Sequence, residues 1–290
     1  MSIRHPVIAI TGSSGAGTTS VTRTFENIFR REKINAAIVE GDSFHRYNRQ
    51  EMKVRMAEEA ASGNQHFSHF GLENNLLSEL EELFRHYGET GTGRSRHYVH
   101  DDAEAIRFGS SPGTFTDWEE LPPSDLLFYE GLHGAVKTES VDIARHVDLR
   151  IGVVPIINLE WIQKLHRDKA LRGYSTEAVV DTILRRMPDY VNIITPQFSE
   201  THVNFQRVPT VDTSNPFVSR DIPSPDESFL VIRFANPKGI DFPYLLNMLK
   251  DSFMSRPNTI VCPGGKMSLA MQMIFTPMLL QLLDRKRRAF

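Results

Sequence analysis

The chain has 290 residues, 40% of them hydrophobic and 24% charged, with a formal net charge of −3. That composition suits a globular protein with a sizeable core, and the mild acidity gives no bulk attraction to nucleic acid or anionic lipid, so any anion site must be local. A single cysteine, Cys262, excludes an intrachain disulfide or a cysteine-based zinc cluster. No apolar run approaches the roughly 20 residues that span a bilayer, and the strand-like run from Val7 leaves no room for a signal peptide. A cytoplasmic protein with neither membrane nor nucleic-acid partners is expected.

Val7 to Thr11 reads as a buried strand. It runs into a glycine-rich loop and then a helix, Thr18 to Glu32, with Val21, Phe25, Ile28 and Phe29 on one face. The loop has the spacing G-x-x-x-x-G-K-[ST] except at one place: Gly12, Gly17 and Thr19 are in register, but Thr18 stands where the lysine belongs. Ser13, Ser14, Gly15 and Ala16 are small enough to let backbone N–H groups face phosphate oxygens, and Thr19 supplies the hydroxyl that usually meets Mg²⁺. The other reading is a tight turn without a ligand, which the absent lysine favours. Both glycines, the final threonine and the flanking elements favour a nucleotide.

Ala36 to Glu40 is a second strand, ending at "EGDSFHR". Asp42 there stands where the carboxyl ends of parallel strands line a crevice. It is read either as a base for a substrate hydroxyl or as the cap of a helix starting near Phe44. His45 and Arg49, four apart, would share one helical face. A polar region from Gln50 to Pro123 follows, with a helix around Asn75 to Tyr87 and two loop-like stretches, "GETGTGRSRHYVHDD" and "FGSSPGTFTDW". "DLLFYEGLHG" is an apolar strand ending in Glu130, placed to hold Mg²⁺ opposite Thr19, since an acid ending a buried strand is costly without a partner. "VDLRIGVVP" is another strand.

Helices are expected from Asn158 to Leu171 and from Thr176 to Tyr190. In the first, Lys164, Asp168 and Arg172 recur every four residues with Arg167 beside them, a polar stripe opposite Trp161 and Leu165. It reads either as a surface helix with i,i+4 pairs or as a lid, hinged at Gly173, that brings Lys164 to the phosphates in place of the lysine missing at Thr18. After Asn204, "FQRVPTVD", "SFLVIRF" and "NTIVCP" look like short strands. Leu245, Leu246, Met248 and Leu249 suggest a buried helix, and Met267 to Asp284 a closing amphipathic helix that Pro277 should kink or interrupt. The alternation of strands and helices predicts one α/β domain over residues 1–290, with a mostly parallel sheet extended by mixed or antiparallel edge strands.

The stretches "TGSSGAGTTSV", "EGDSFHRYNR", "RHYVHDDAEA", "FTDWEELP", "LLFYEGLHGAV", "NLEWIQKLHRDKALRGYSTEAVVDTILRRMPDYV", "PQFSETHVNFQRVPTVDTSNPF" and "FANPKGIDFPYLL" together resemble the phosphoribulokinases of the bacterial, non-thiol-regulated type. The resemblance runs through most of the chain. It implies an α/β P-loop kinase fold of the adenylate- and uridine-kinase kind with a mobile lid, and transfer of the ATP γ-phosphate to O1 of D-ribulose 5-phosphate. It implies Asp42 as general base, with Lys164, Arg167 and Asp168 as catalytic residues. His45, Arg49, Tyr98, His100 and Arg172 fall around the sugar phosphate, and Thr19, Glu130 and Asp168 around Mg²⁺. A threonine at the lysine place is also a feature of this type. Regulation by NADH as activator and AMP as inhibitor is implied, in a homo-octamer, with Arg186, Arg233 and Arg256 at effector-linked arginines. The paired cysteines of plant-type relatives have no counterpart beside Cys262.

Overall fold

The computed structural model describes residues 4–13 and 18–289; the side chains of residues 18–20, 171, 172 and 289 lie outside that description. In chain order the elements are β1 (Val7–Thr11), α1 (Thr18–Glu32), β2 (Ala36–Glu40), α2 (Arg49–Ala61), α3 (Leu77–Thr90), β3 (Arg94–Ser95), α4 (Asp102–Phe108), β4 (Glu119–Glu120), β5 (Leu126–Gly131) and β6 (Leu149–Val154). There follow α5 (Ile157–Arg172), α6 (Thr176–Asp189), α7 (Gln197–Glu200), β7 (Val203–Pro209), β8 (Ser228–Phe234), α8 (Phe242–Met248), β9 (Phe253–Arg256), β10 (Thr259–Pro263) and α9 (Met267–Ala289).

Eight strands form one sheet in the order β2-β5-β1-β6-β7-β8-β10-β9, and β3 pairs with β4 apart from it. The pairings from β2 to β7 are parallel and those from β7 to β9 antiparallel. This is the mixed, mostly parallel sheet that the sequence predicts. β1 lies between β5 and β6 and is buried throughout, as a strand covered on both faces must be. On one face α1 and α9 meet over Phe25, whose ring lies 5.0 Å from Phe128 and 5.1 Å from Phe275. On the other, α3 sets Phe84 edge-on to Tyr129 at 5.3 Å. Each such ring pair adds about 0.5–1.5 kcal/mol to the burial.

Five expectations are corrected. The α3 helix begins at Leu77 rather than Asn75, because Asn75 is engaged in side-chain hydrogen bonds. His45 and Arg49 share no helix face: a short 3-10 turn, Gly41–Phe44, precedes His45, and α2 starts at Arg49 behind an Asn48–Glu51 capping box. Pro277 does not interrupt α9. It lies on the exposed face, where water can take up the carbonyl that a proline leaves without a donor. Among the described residues α9 also has the length and hydropathy of a membrane span, against the expectation of none. Its Ala270, Met271, Phe275 and Leu279 are fully buried in the core it shares with the sheet. Of the expected helix near Leu245, α8 buries Leu245, with Leu249 buried just beyond it, while Met248 is exposed.

Candidate active site

The carboxyl ends of β1, β2, β5 and β6 open on one edge of the sheet, where open α/β sheets bind their ligands. Ser14 to Gly17 and the side chains of Thr18 and Thr19 lie outside the described residues, so the loop is known at its two ends. The Gly12 N–H donates to the Gly131 carbonyl at 3.2 Å, and α1 presents its N-terminus from Thr18.

Asp42 and Glu130 are brought together by two glycines. A Cβ on Gly131 would stand 2.7 Å from the Gly41 Cα and 2.5 Å from the Tyr129 hydroxyl, so neither strand end could approach if either glycine carried a side chain. In the β2–β5 register Glu40 lies opposite Glu130, placing three acids, Glu40, Asp42 and Glu130, at one sheet edge. Burial and the nearby Asp42 and Glu104 raise the Glu40 pKa, against His100 and His97.

Asp42 is surrounded by imidazoles. His45 Nε2 is 3.1 Å from its Oδ1, and His100 Nε2 is 3.7 Å from its Oδ2. Asn75 fixes the His45 tautomer. Its amide nitrogen donates to the carbonyls of His69 (2.9 Å) and Gly71 (2.7 Å), leaving Oδ1 to accept from His45 Nδ1 at 2.8 Å. The Nε2 then faces the carboxylate. Burial opposes ionisation of both groups, yet their charges and hydrogen bond raise the His45 pKa and hold Asp42 well below the usual carboxylate range, with His100 and His69 helping on the Asp42 side. The Asp42 side chain remains 44% exposed, open to the cleft.

Tyr98 stands edge-on to His100 at 5.0 Å and to His45 at 6.4 Å. Arg49 donates from Nη2 to the His100 carbonyl at 2.8 Å. The structure thus gathers Asp42, His45, Arg49, Tyr98 and His100 in one place, by loops rather than by the helical face expected for His45 and Arg49. The Arg172 side chain lies outside the described residues.

The polar stripe of α5 is not a solvent surface. Lys164 is 8% exposed and Asp168 2%. Lys164 Nζ is 2.6 Å from Asp168 Oδ2 and Arg167 Nε 3.0 Å from Oδ1, so each carboxylate oxygen holds a cation. Those partners lower the Asp168 pKa against burial. Burial, with Arg186 and Arg167 acting the same way, brings the Lys164 ammonium down to about 8 despite Asp168. Gly173, expected as a hinge, adopts φ +66° and stops α5 as a left-handed C-cap.

Arg186 is set apart from the other two arginines expected with it. It lines a crevice with Glu160, Trp161, Lys164 and Tyr190, and its guanidinium lies 4.9 Å from the Phe70 ring. Arg233 and Arg256 line a separate groove of about 650 Å³ with Ser199, Asn204, Gln206 and Asn258.

Oxygen donors suit Mg²⁺, which binds through one or two carboxylates together with substrate phosphates. Glu130, with Glu40 opposite it in the strand register, fits such an ion. Among the described residues no three His, Cys, Asp or Glu side chains form a closed metal cage.

Some functional neighbours had no sequence signal of their own. Arg96 donates to the carbonyls of Ser43 (2.9 Å) and His45 (2.7 Å) and lies 3.7 Å over the Phe115 ring, bracing the Asp42 turn. The His69 ring lies tilted against His45 at 4.4 Å, and Asn75 holds both.

A strand–loop–helix at the central strand, an acid ending the next strand and a cation-bearing helix beyond belong to a phosphate-transferring site. A model of the phosphoribulokinase / uridine kinase family matches residues 7–214. The chain belongs to that family. It is a P-loop kinase, a nucleotide-binding transferase. The chromosomal phosphoribulokinase of Cupriavidus necator is 72% identical over 290 residues, covering 100% of this chain and 99% of the relative. The phosphoribulokinase of Nitrobacter vulgaris is 71% identical, with 99% of each chain covered. The solved structure of phosphoribulokinase from Rhodobacter spheroides superposes with a TM-score of 0.91 at 57% identity, covering 99% of this chain and 100% of that one. The resemblance drawn from the quoted motifs and the α/β P-loop kinase fold expected with it are both borne out.

Proposed function

We propose that this chain transfers the γ-phosphate of ATP to O1 of D-ribulose 5-phosphate, forming the ribulose 1,5-bisphosphate of the Calvin cycle. The observation that carries the reading is the imidazole pair His45 and His100 on the Asp42 carboxylate, with Tyr98 edge-on to both rings and Arg49 on the His100 carbonyl, at the carboxyl edge of the sheet. A nucleoside acceptor has no need of that cluster; an anionic sugar does.

In this reading the backbone amides from Gly12 to Thr19 hold the phosphates. His45, Arg49, Tyr98, His100 and Arg172 grip the sugar phosphate. Asp42 takes the proton from O1; held ionised by its imidazoles, it receives that proton late, as the phosphoryl group leaves ATP. Lys164 and Arg167 neutralise charge on the migrating group, and Lys164 does the work of the lysine replaced by Thr18. Mg²⁺ would be held by Thr19 and Glu130, with Asp168 beside them, and would neutralise phosphate charge.

Regulation by NADH and AMP fits the groove of Arg233 and Arg256, where two guanidinium groups and several amides and hydroxyls suit a dinucleotide's phosphates. Arg186, which shares a crevice with the lid lysine, would carry that occupancy to the chemistry. A cytoplasmic homo-octamer completes the reading.

Turnover of Mg·ATP on ribulose 5-phosphate, uridine and pantothenate, each with and without NADH, tests it. Turnover on ribulose 5-phosphate alone, raised by NADH and lowered by AMP, is expected. Turnover on uridine or pantothenate instead would overturn the acceptor assignment, and light scattering of the eluted enzyme reads the octamer.

A further inference from the structure

Glu160 has no part in the chemistry above, yet it is built into the site. It lies in the first turn of α5, and its Oε1 accepts a hydrogen bond from the Ser13 hydroxyl, 147 residues earlier in the chain. Ser13 is wholly buried and is the second residue of the loop. Tyr190, aimed by the π-turn Tyr190–Ile194 that follows α6, is a second hydrogen-bond partner. Arg186, Lys164 and Arg167 surround the same carboxyl. A carboxylate against a phosphate loop opposes anion binding, so its electrostatics do not explain its place. What it supplies is a bond from the loop to the helix that carries Lys164 one turn further on.

We propose that Glu160 is a positioning residue: its bond to Ser13 ties the first turn of the nucleotide loop to α5, so that this end of the loop and Lys164 are placed together. This rests on the loop as the ATP site and not on the identity of the acceptor. A loop without its own lysine holds phosphates by backbone amides at its ends and centre, and those converge only while the loop keeps its shape. Tyr190 fixes the carboxyl from the α6 side, so three elements meet at one group.

The test is a double-mutant cycle read as the Kd of a non-hydrolysable Mg·ATP analogue by calorimetry, for the wild type, Ser13→Ala, Glu160→Ala and the pair. Each single variant should weaken binding about tenfold, and the pair no more than either alone. Glu160→Gln, which still accepts from Ser13, should stay within about threefold. KM for the acceptor should move less than the analogue Kd in every variant. Additive losses, wild-type affinity in both single variants, or a Glu160→Gln as weak as Glu160→Ala would overturn the tie. So would a fall in the urea midpoint that accounts for the lost affinity. A wild type that fails to bind the analogue would overturn the nucleotide reading and the tie with it. A wild type that binds the analogue but leaves ribulose 5-phosphate untouched would remove the acceptor assignment alone.

Discussion

Replacing Lys164 separates its charge from its place. Its ammonium is buried, 2.6 Å from Asp168, with a pKa brought to about 8 from an ordinary 10.5, a displacement worth ~3 kcal/mol against the charged form. If that charge stabilises the migrating phosphoryl group, kcat/KM for ATP, which reports the free enzyme, should fall as pH rises through about 8. Stability moves the other way. The folded pKa lies below the unfolded one, so between the two the unfolded chain binds more protons, and this group favours the folded state increasingly as pH rises from about 8 toward 10.5. Activity therefore drops across a window in which Lys164 does not promote unfolding. Lys164→Arg keeps a cation throughout and should lose the basic limb, at a lower plateau because the guanidinium does not occupy the ammonium's place. Lys164→Met should lose about 10³-fold or more. The assay is steady-state ATP turnover between about pH 6 and 10, with circular dichroism confirming the fold. A basic limb near pH 8 that persists in Lys164→Arg, or intact turnover in Lys164→Met, would refute the reasoning.

Other substitutions probe the Asp42 side. His45→Asn removes a charge and a hydrogen bond that hold the Asp42 pKa down, so the acid limb of kcat should move up toward an ordinary aspartate near pH 4. Because a lowered carboxyl pKa contributes stability that is lost as pH falls through the folded value, acid unfolding should also begin at higher pH; a limb and a midpoint that both stay put would refute the pairing. Gly131→Ala forces a methyl against the Gly41 backbone and the Tyr129 hydroxyl, so urea unfolding should show a loss of about 1–3 kcal/mol and kcat should drop as Asp42 shifts. Unchanged values in both would mean that the strand ends separate freely. Arg96→Ala leaves the Ser43 and His45 carbonyls without their donor; kcat should fall about tenfold while KM for ATP holds, and an equal rise in KM for ATP would show that the brace serves the whole cleft.

What the chain reveals of itself follows from the range of each interaction. β1, the loop and α1 are contiguous, and a strand buried on both faces reads as an apolar run; the acids ending β2 and β5 are found the same way. The edge strand β9 was missed because its residues are mostly exposed and alternate with nothing. Lys164 and Asp168 illustrate a different limit, since i,i+4 spacing is the same for a surface pair and a buried one, and only the packing of α5 against α6 and its neighbours tells them apart. Four-residue spacing suggests a shared helical face for His45 and Arg49; the competing attraction of Asn75, 30 residues away, is invisible in sequence. Ser13 and Glu160 are further apart still.

The threonine at the lysine place of the loop has a physical consequence when the lysine is carried by α5. A lysine in the loop is tied to the phosphate site in every state of the protein. Lys164 instead sits in an ion pair with Asp168, at a pKa lowered to about 8, on a helix joined to the loop through Glu160. A cation on the loop would act on water and sugar alike, since it is in place whether or not an acceptor has arrived. A cation on a separate helix acts where that helix sits, and a closed cleft then favours the bound sugar over water. On the proposed reading, threonine in place of lysine at position 18 therefore transfers control of the phosphoryl group from the nucleotide loop to α5. Restoring the loop lysine by Thr18→Lys should raise ATP hydrolysis in the absence of acceptor relative to acceptor turnover, by phosphate release against product formation. A ratio no higher than that of the wild type would show that the position of the cation does not govern the choice between water and sugar.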